Sequence, residues 1–586
     1  MSTQHLKAFL AWADENAITW DKDAIEIREG NHGLGVYAKK DLDAGYEVIQ
    51  VPKAAVLSIE NTAIAEQLEE EDIEGYVGLT LASMYELSRG DASPWSAYLT
   101  LIDSRRPHMA SDLSEDAREL MKKSEVYGDI ETDLKDMRED YDTVVVPFLE
   151  KHPEIFTEEI KAKFFSFEDF KAMTSQISSR AMDVDNYHVS ALVPFADFVN
   201  HADEPNSDYL THEDVCEICG ALSCEHLDEL DEDEDDEDEE APELTAEEAA
   251  EPKKKRAVAK GVTADAEDDE ETETDDDEDA DWEDEDIDDT CDIILDEDVK
   301  KGEEITRHYG PFPNKIFLSK YGFAEINNPN DTVTVQLDMV KKAAEGILGD
   351  AALVEERVKW FLETEDVFIG EDDDDDQEEA CCGEDHDHDH DHDHGHSHAH
   401  KHEKKQETKQ DKEDDEDDED DEDNEDDEDF PRDIMYMMHD GSVDDRLLML
   451  LNVIFMEKEQ FDKVQGSMEV ATEYFNDIFL RRALEEDIAE DGEDEGEDED
   501  EKPEVKPLDE AGRKVRTAVL DAILQVIRLR ADAFGVSDQT TAEEDLETLK
   551  KANLSGPLFY GSVCVQGEKQ IIQNGLKLYG KFRAEL

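Results

Sequence analysis

One short stretch of the sequence carries the residue types that bind zinc. Cys216, Cys219, Cys224 and His226 follow one another in the pattern C-x2-C-x4-C-x-H. Thiolates and imidazoles suit Zn²⁺, and four such ligands make a closed structural site. The one-residue gap between Cys224 and His226 is tight, however, and no second standard pair exists. The pattern therefore favours reduced surface cysteines, with a structural zinc as the hypothesis to test. The 7 cysteines of the chain are too irregularly placed to indicate a disulfide framework.

A second set of residues is suited to binding a small ligand through the backbone. Gly33-Leu34-Gly35 is a G-x-G turn, and the missing Cβ atoms allow a ligand to approach the main chain closely. No third glycine follows at dinucleotide spacing, and the chain has no Walker lysine, no G-x-S-x-G and no H-E-x-x-H. Alone, this turn predicts no more than a tight bend.

Four motifs in a fixed order carry more information than the turn alone. They are Gly33–Ala38 (GLGVYA), Asp197–His201 (DFVNH, continuing to Pro205-Asn206), Gly302–Gly310 (GEEITRHYG) and Tyr321–Phe323 (YGF). This order resembles the SET-domain protein-lysine methyltransferases, and within them the Rubisco-methyltransferase-like subgroup, most like its fungal ribosomal lysine methyltransferases. Ser93–Leu99 (SPWSAYL) resembles a stretch in the helical insertion of that subgroup.

The resemblance implies a role for each motif, with S-adenosylmethionine as the cofactor. The residues implied to bind it are Gly33, Leu34, Gly35, Arg180, Asn200, His201 and Tyr309. Tyr309 is also implied as the catalytic tyrosine, with Asp197 and Tyr321 contacting the substrate lysine. Without the resemblance, these residues have simpler interpretations. Tyr309 fits a buried core tyrosine, Asn200-His201 fits the end of a helix, and Arg180 fits a solvated or ion-paired side chain.

The elements that must position these residues follow from periodicity. Short β-prone runs separated by glycines occupy the region from Ile25 to Leu57, and others occur at Cys291–Leu295, Glu304–Tyr309 and Thr332–Leu337. Apolar residues spaced three and four apart predict helices through most of residues 60–182 and again after residue 430. These elements predict an α+β fold broken by a helical insertion. The resemblance implies that the divided domain is a SET domain with a pseudoknot-like closure.

Domain boundaries follow from these elements and from three acidic tracts. Residues 1–227 are predicted as the first part of the SET domain, with the helical insertion at about 60–182, and residues 291–340 as its second part. Residues 341–586 are predicted as an all-helical domain, and the resemblance implies that it binds the substrate. Acidic tracts repel themselves and bury little, so they are predicted to be disordered insertions; they lie at 228–290, at 371–429 (which includes a histidine-rich run) and at 485–504.

The charge of the chain limits the classes of partner. With 57 Lys+Arg and 166 Asp+Glu among 586 residues, the formal net charge is −109. A basic footprint for nucleic acid is missing, and the acidity favours a basic protein substrate. We expect a ribosomal protein first and a histone second. We also expect a monomer without membrane segments or a signal peptide, located in the cytoplasm, the nucleus or both.

Two alternatives stay open from the sequence. The first is a histidine acceptor instead of a lysine, since histidine-methylating members exist in the same subgroup. The second is a non-catalytic chaperone or scaffold for basic proteins, in which the acidic tracts carry the function. Asn200, His201 and Tyr309 together favour an enzyme, because an unused site has no reason to keep all three.

Overall fold

The structure is a computed structural model, and it describes most of the chain outside the acidic tracts. The described residues are 2–30, 33–104, 118, 121–122, 124–224, 226, 289–365, 433–490, 508–534, 540–551, 554 and 556–586. Residues 485–490, at the start of the third tract, form the end of the Met468–Glu490 helix instead of being disordered. The second tract with its histidine-rich run, residues 228–288 of the first tract and residues 491–504 of the third lie outside the described ranges. Their predicted disorder remains a prediction.

The described chain forms two compact units, each of which is discontinuous in sequence. The first contains Thr3–Ala65 and Arg180–Arg307, and the second contains Glu66–Ser179 and His308–Leu586. This division into units does not test the domain boundaries expected from the sequence, which remain a prediction. Each unit is described by itself below.

The first unit is built from one N-terminal helix, Ser2–Glu15, and ten short strands. The strands are β1 (Thr19–Trp20), β2 (Ile25–Gly30), β3 (Gly33–Ala38), β4 (Glu47–Pro52), β5 (Ala181–Asp185), β6 (Val189–Leu192), β7 (Asn200–His201), β8 (Ser207–Thr211), β9 (Thr290–Leu295) and β10 (Glu304–Arg307). They form one sheet in the order β1-β4-β9-β8, a second in the order β2-β3-β10-β7, and the hairpin β5-β6.

Alternation of apolar residues explains why these short segments become strands. In β9, Cys291, Ile293 and Leu295 are buried while the residues between them are less so. This period of two places one face of the strand in the core. Gly302, at φ +93°, makes the turn that leads into β10, which a side chain would disfavour. The predicted β-prone runs on both sides of the first acidic tract are thus confirmed.

The two ends of the first acidic insertion meet in the sheet. β8 precedes the insertion and β9 follows it, and the two strands pair antiparallel from Ser207↔Leu295 to Thr211↔Cys291. The insertion therefore occupies the position of a hairpin loop. This pairing confirms that the long separation between the second and third motifs is compatible with one sheet, because loop-closure entropy grows only logarithmically with loop length.

A buried lysine reinforces the same junction. Lys53 is 1% exposed and its Nζ lies 2.8 Å from a carboxylate oxygen of Asp185. It also donates to the carbonyl of His212 on one side of the insertion. On the other side, the backbone N–H of Lys53 donates to the carbonyl of Asp289 at 3.1 Å. One side chain and its own backbone thereby hold both ends of the insertion.

The second unit is mainly helical. Its helices are Gly75–Ser88, Ser96–Asp103, Glu125–Asp140, Val146–Lys151, Glu158–Phe164, Asn314–Ile316, Leu337–Leu348, Ala351–Leu362, Asp445–Phe455, Lys458–Gly466, Met468–Glu490, Glu510–Phe534, Ala542–Lys551 and Gly556–Glu585, while Ala65–Glu69 and Phe167–Arg180 lie where the chain passes between units. The helices predicted from periodicity before residue 182 and after residue 430 are present. Among the described residues, no helix combines the length and apolar character needed to cross a bilayer.

One small sheet interrupts the helices of the second unit. β11 (Val333–Gln336) pairs antiparallel with β12 (Ile434–Met437), from Val333↔Met437 to Gln336↔Ile434. The part after residue 341, expected to be all helical, therefore contributes one strand. Four residues are too few to reveal a period in the sequence, although Met435 and Met437 alternate into the core as a strand requires.

Candidate functional site

The side chain of Asn200 links three strands of the first unit. Its Nδ2 donates to the carbonyl of Leu34 on β3 at 3.1 Å and to Oε1 of Glu304 on β10 at 2.7 Å. Asn200 itself lies on β7, which runs parallel to β10 with Thr306 opposite Asn200. The amide thus fixes the backbone of the G-x-G turn against the strand that ends at Arg307.

The G-x-G turn can approach this amide only because its second glycine has no side chain. A Cβ on Gly35 would collide with Oε1 of Glu304 and lie 2.9 Å from Nδ2 of Asn200. Gly33 has φ +104°, a conformation that L side chains rarely adopt, and nothing lies within 4 Å of its ideal Cβ position. The two glycines therefore serve different purposes: Gly33 permits the turn, and Gly35 permits close packing.

The chain after Asn200 is held alongside β10 by paired backbone and amide contacts. Asn206 donates through Nδ2 to the carbonyl of Glu304 at 3.0 Å and accepts from the N–H of Thr306 at 2.9 Å. The N–H of Ala202 donates to the carbonyl of Arg307 at 3.2 Å. His201, opposite Arg307, has a buried side chain. The Asn-His motif and the motif before Tyr309 are thus adjacent.

Arg180 and Asp197 form an ion pair in this unit. Nη1 of Arg180 donates to Oδ2 of Asp197 at 2.9 Å and to the Asp197 carbonyl at 3.1 Å. The Asp197 carboxylate is fully buried, and the guanidinium lies 5.3 Å from the ring centre of Phe198. Arg180 was predicted to meet the cofactor and Asp197 the substrate. Those roles remain predictions, but the structure places the two residues together.

A strained residue precedes this ion pair. Phe195 has φ +85°, an unfavourable conformation for a residue with a bulky side chain. Its ring packs at 5.9 Å from that of Phe9 and at 4.8 Å from that of Trp20. This packing stabilises the backbone bend at Phe195, which leads into the Ala196–Phe198 turn. The bend therefore determines the direction of the Asp197 side chain. The sequence gives no signal for it, because φ depends on tertiary packing.

Glu304 is a residue of this site to which the sequence analysis assigned no role. It accepts from Asn200, and burial together with a hydrogen bond to Glu304 raises the pKa of Tyr37 to about 12. Tyr37 also lies under the guanidinium of Arg28, 3.4 Å from ring centre to Cζ. The sequence did contain a signal for Glu304, because this residue lies within the Gly302–Gly310 motif (GEEITRHYG).

The second unit brings Tyr309 and Tyr321 together. Their ring centres are 4.9 Å apart with an angle of 30° between the planes. Tyr321 also has three phenylalanine rings within 6.5 Å, those of Phe312, Phe317 and Phe323. Such a cluster offers an apolar wall with two phenol groups, against which a long aliphatic side chain can pack.

Short-range geometry shapes this aromatic cluster. Gly310, at φ +118°, follows Tyr309, and a Cβ there would lie 2.5 Å from the Phe312 ring. Ser178 Oγ donates to the carbonyl of Lys320 at 3.2 Å, which ties the helix ending at Arg180 to the turn carrying Tyr321. Burial also lowers the pKa of the neighbouring Lys320.

The predicted zinc ligands also come together, in the first unit. The ligand atoms of Cys216, Cys219, Cys224 and His226 all lie within 4.8 Å of one another. The distance from Nδ1 of His226 is 3.6 Å to Sγ of Cys216 and 3.7 Å to Sγ of Cys224.

Known proteins resemble the chain in sequence at moderate identity. Ribosomal lysine N-methyltransferase 3 of Saccharomyces cerevisiae is 27% identical over 369 residues, which is 58% of this chain and 65% of that protein. N-lysine methyltransferase SETD6 of Bos taurus is 27% identical over 225 residues, 36% of this chain and 49% of that protein. The chain thus spans less than two thirds of the length of these two relatives. No protein-family model matches the sequence.

Solved structures resemble the chain over nearly its whole length. The SET domain of LSMT bound to lysine and AdoHcy superposes with a TM-score of 0.56 at 14% identity, covering 100% of this chain and 92% of that one. Rubisco LSMT bound to AdoMet gives a TM-score of 0.53 at 14% identity, covering 99% and 92%. The chain has the SET-domain fold.

This result confirms the α+β SET fold predicted from the four motifs. Within the first unit of this SET-fold chain, the structure gathers Gly33, Leu34, Gly35, Arg180, Asp197, Asn200 and His201 around β3, β7 and β10. Within the second, it gathers Tyr309 and Tyr321. The roles of these residues toward cofactor and substrate remain predictions.

Proposed function

We propose that this SET-fold chain transfers a methyl group from S-adenosylmethionine to a lysine side chain of a basic protein. The observation that carries the proposal is the Asn200 amide, which joins the Leu34 carbonyl to Glu304 and so fixes the G-x-G turn beside β10. The relatives named as lysine methyltransferases and the fold of LSMT support the same activity.

The residues of the first unit fit the cofactor. A turn with positive φ at Gly33 and without a Cβ at Gly35 exposes main-chain groups to a ligand that carries its own amine and carboxylate. Arg180 provides a cation already oriented by Asp197, which suits a carboxylate. We assign the methionine end to Gly33–Gly35 with Arg180, and the remainder to Asn200 and the backbone of His201. When bound, the cofactor supplies an electrophilic methyl group on a sulfonium.

Tyr309 and Tyr321 are assigned to the acceptor amine. The amine must be neutral to attack, and the loss of its hydration on entering the site disfavours its charged form. The stacked rings restrict the approach of a lysine side chain, while the Tyr309 hydroxyl accepts or donates a hydrogen bond that aligns the nitrogen. Positioning and exclusion of water then supply most of the rate enhancement, and no covalent enzyme intermediate is needed.

The substrate is assigned by charge. A net charge of −109 attracts Lys/Arg-rich proteins over long range and does so most strongly at low salt. We propose a ribosomal protein as the substrate, supported by the name of the yeast relative, with a histone as the next choice.

The test is transfer of labelled methyl from S-adenosylmethionine to fractionated ribosomal proteins and histones. Wild type is compared with Tyr309→Phe and Asn200→Ala, and with Tyr436→Phe, a tyrosine on β12 outside the aromatic cluster. We expect label in one or two bands, lost in the first two variants and kept in the third. Acid hydrolysis of the labelled band then distinguishes methyllysine from methylhistidine.

Two results would overturn the proposal. If folded wild type labels no fraction yet binds basic proteins in a salt-sensitive manner, the chain is a scaffold. If the hydrolysate contains only methylhistidine, the acceptor is histidine and the lysine assignment is wrong.

A further inference from the structure

We propose that Cys216, Cys219, Cys224 and His226 bind one structural Zn²⁺. The proposal is independent of methyl transfer, because it concerns ligands that no step of that reaction uses. It rests on the distances between the ligand atoms, on the backbone of the loop that carries them and on its packing within the first unit.

The distances agree with the edges of a zinc tetrahedron. Typical Zn–S and Zn–N bonds of about 2.3 and 2.0 Å place a sulfur and a nitrogen of the same tetrahedron about 3.5 Å apart. Nδ1 of His226 lies 3.6 Å from Sγ of Cys216 and 3.7 Å from Sγ of Cys224. Both sulfur–nitrogen distances therefore match a shared metal.

Ordinary hydrogen bonding accounts for this arrangement less well. A ring nitrogen has one proton or one lone pair in the plane, so it makes one good hydrogen bond. Here two sulfurs converge on the same nitrogen, and Sγ of Cys219 completes a group whose members all lie within 4.8 Å of each other. All three thiols are also free of disulfides. Three thiolates and an imidazole leave no open position, so the metal is structural.

The backbone around the first two cysteines forms a tight loop that points both sulfurs the same way. The carbonyl of Cys216 accepts from the N–H of Cys219 at 3.3 Å and from that of Gly220 at 2.7 Å. The N–H of Cys216 donates in turn to the carbonyl of Ala221 at 3.0 Å. Gly220 has φ +68°, and only glycine adopts this without strain.

The loop is seated on the β5-β6 hairpin of the same unit. A Cβ on Gly220 would lie 2.7 Å from Cδ1 of Tyr187, which occupies the turn between β5 and β6. The N–H of Asn186 donates to the carbonyl of Glu213 at 3.2 Å. The zinc would thus fasten the chain between β8 and residue 226 to the β5-β6 hairpin.

The experiment measures zinc in the full-length, tag-free protein after purification in reductant and dialysis against EDTA. We expect about one zinc per chain in wild type. Cys216→Ser and Cys224→Ser are each expected to contain well under one zinc per chain. Cys291 is a buried cysteine of β9 outside the cluster, so Cys291→Ser is expected to keep the zinc content of wild type. A variant in which the histidines of 386–402 are replaced by asparagine is also expected to contain about one zinc per chain.

Cobalt provides a measurement that does not depend on how the variants fold. Wild type refilled with Co²⁺ is expected to show the intense ligand-field and thiolate charge-transfer bands of tetrahedral cobalt. If purified wild type contains no zinc and shows none of these bands after Co²⁺ is added, the proposal is wrong. Zinc that persists in Cys216→Ser and disappears when the 386–402 histidines are replaced would also overturn it, because the metal would then belong to that run.

Discussion

Gly35 shows how a single missing Cβ can determine a ligand site. In Gly35→Ala the new methyl group must displace Glu304 or Asn200, both of which are held by hydrogen bonds. We expect at least a tenfold weaker affinity for S-adenosylmethionine, with a loss of about 1–3 kcal/mol in the free energy of unfolding. Calorimetric titration and urea unfolding measure the two effects. Gly346→Ala, in a helix with nothing within 4 Å of the Cβ position, is the matched control; equal cofactor binding in both variants would contradict the assignment.

The Arg180–Asp197 pair can be tested separately for stability and for ligand binding. Removing either partner leaves a buried charge without its counterion, so Arg180→Ala and Asp197→Ala are each expected to cost about 3–5 kcal/mol. Arg180→Lys keeps the charge and loses the forked geometry. We therefore expect this milder variant to bind the cofactor at least several-fold more weakly while staying close to wild type in its urea midpoint. Unchanged affinity would restrict Arg180 to holding Asp197.

At the scale of elements, the Lys53–Asp185 pair holds the β-strands on either side of the first acidic insertion. Lys53→Met leaves Asp185 buried without its lysine, and we expect a loss of about 3–5 kcal/mol, measured as a lower urea midpoint. Lys458→Met removes an exposed lysine that also pairs with a carboxylate, and it should leave the midpoint unchanged. An unchanged midpoint in Lys53→Met would show that β8–β9 pairing alone closes the loop.

The same pair predicts how stability depends on pH. Burial by itself raises the pKa of Asp185, but hydrogen bonds from His188 and Lys53 outweigh it and hold the pKa well below its usual range. A carboxylate whose pKa is lowered by folding stabilises the protein above the unfolded value of about 3.9 and loses that contribution as pH falls below it. Between pH 6 and pH 3, wild type should therefore lose stability more steeply than Asp185→Asn. Parallel slopes in thermal melts would contradict the prediction.

The elements could be predicted from the sequence where they are long or periodic. The Glu510–Phe534 helix follows from its apolar spacing, and β9 follows from alternation. The strand β12 could not be predicted, since four residues show no period. At the site, Asn200 and Gly35 follow from motif order, but the Arg180–Asp197 contact joins residues on different elements. Nor does the sequence reveal the φ of Phe195, which aromatic packing imposes.

At the scale of the whole molecule, a net charge of −109 is expected to govern how the proposed substrate arrives. Attraction between the chain and a basic protein is screened over about 8–10 Å at physiological salt, so it adds to the encounter rate more than to the chemistry. We therefore expect KM for an intact ribosomal protein to rise several-fold between about 50 and 300 mM salt while kcat stays constant. A short peptide with the same target lysine should show a much weaker dependence, and steady-state kinetics on both substrates measures it.

Residues 228–288 of the first acidic insertion allow this electrostatic effect to be separated from the fold. Its ends are held by β8–β9 pairing, so replacing it with a short Gly/Ser linker should leave the urea midpoint within a small range of wild type, because loop entropy changes by only about 1–2 kcal/mol. The same replacement should flatten the salt dependence of KM for the intact protein and leave the peptide kinetics unchanged. If KM for the protein keeps its full salt dependence, the attraction comes from the surface of the folded units, and the insertion serves another purpose.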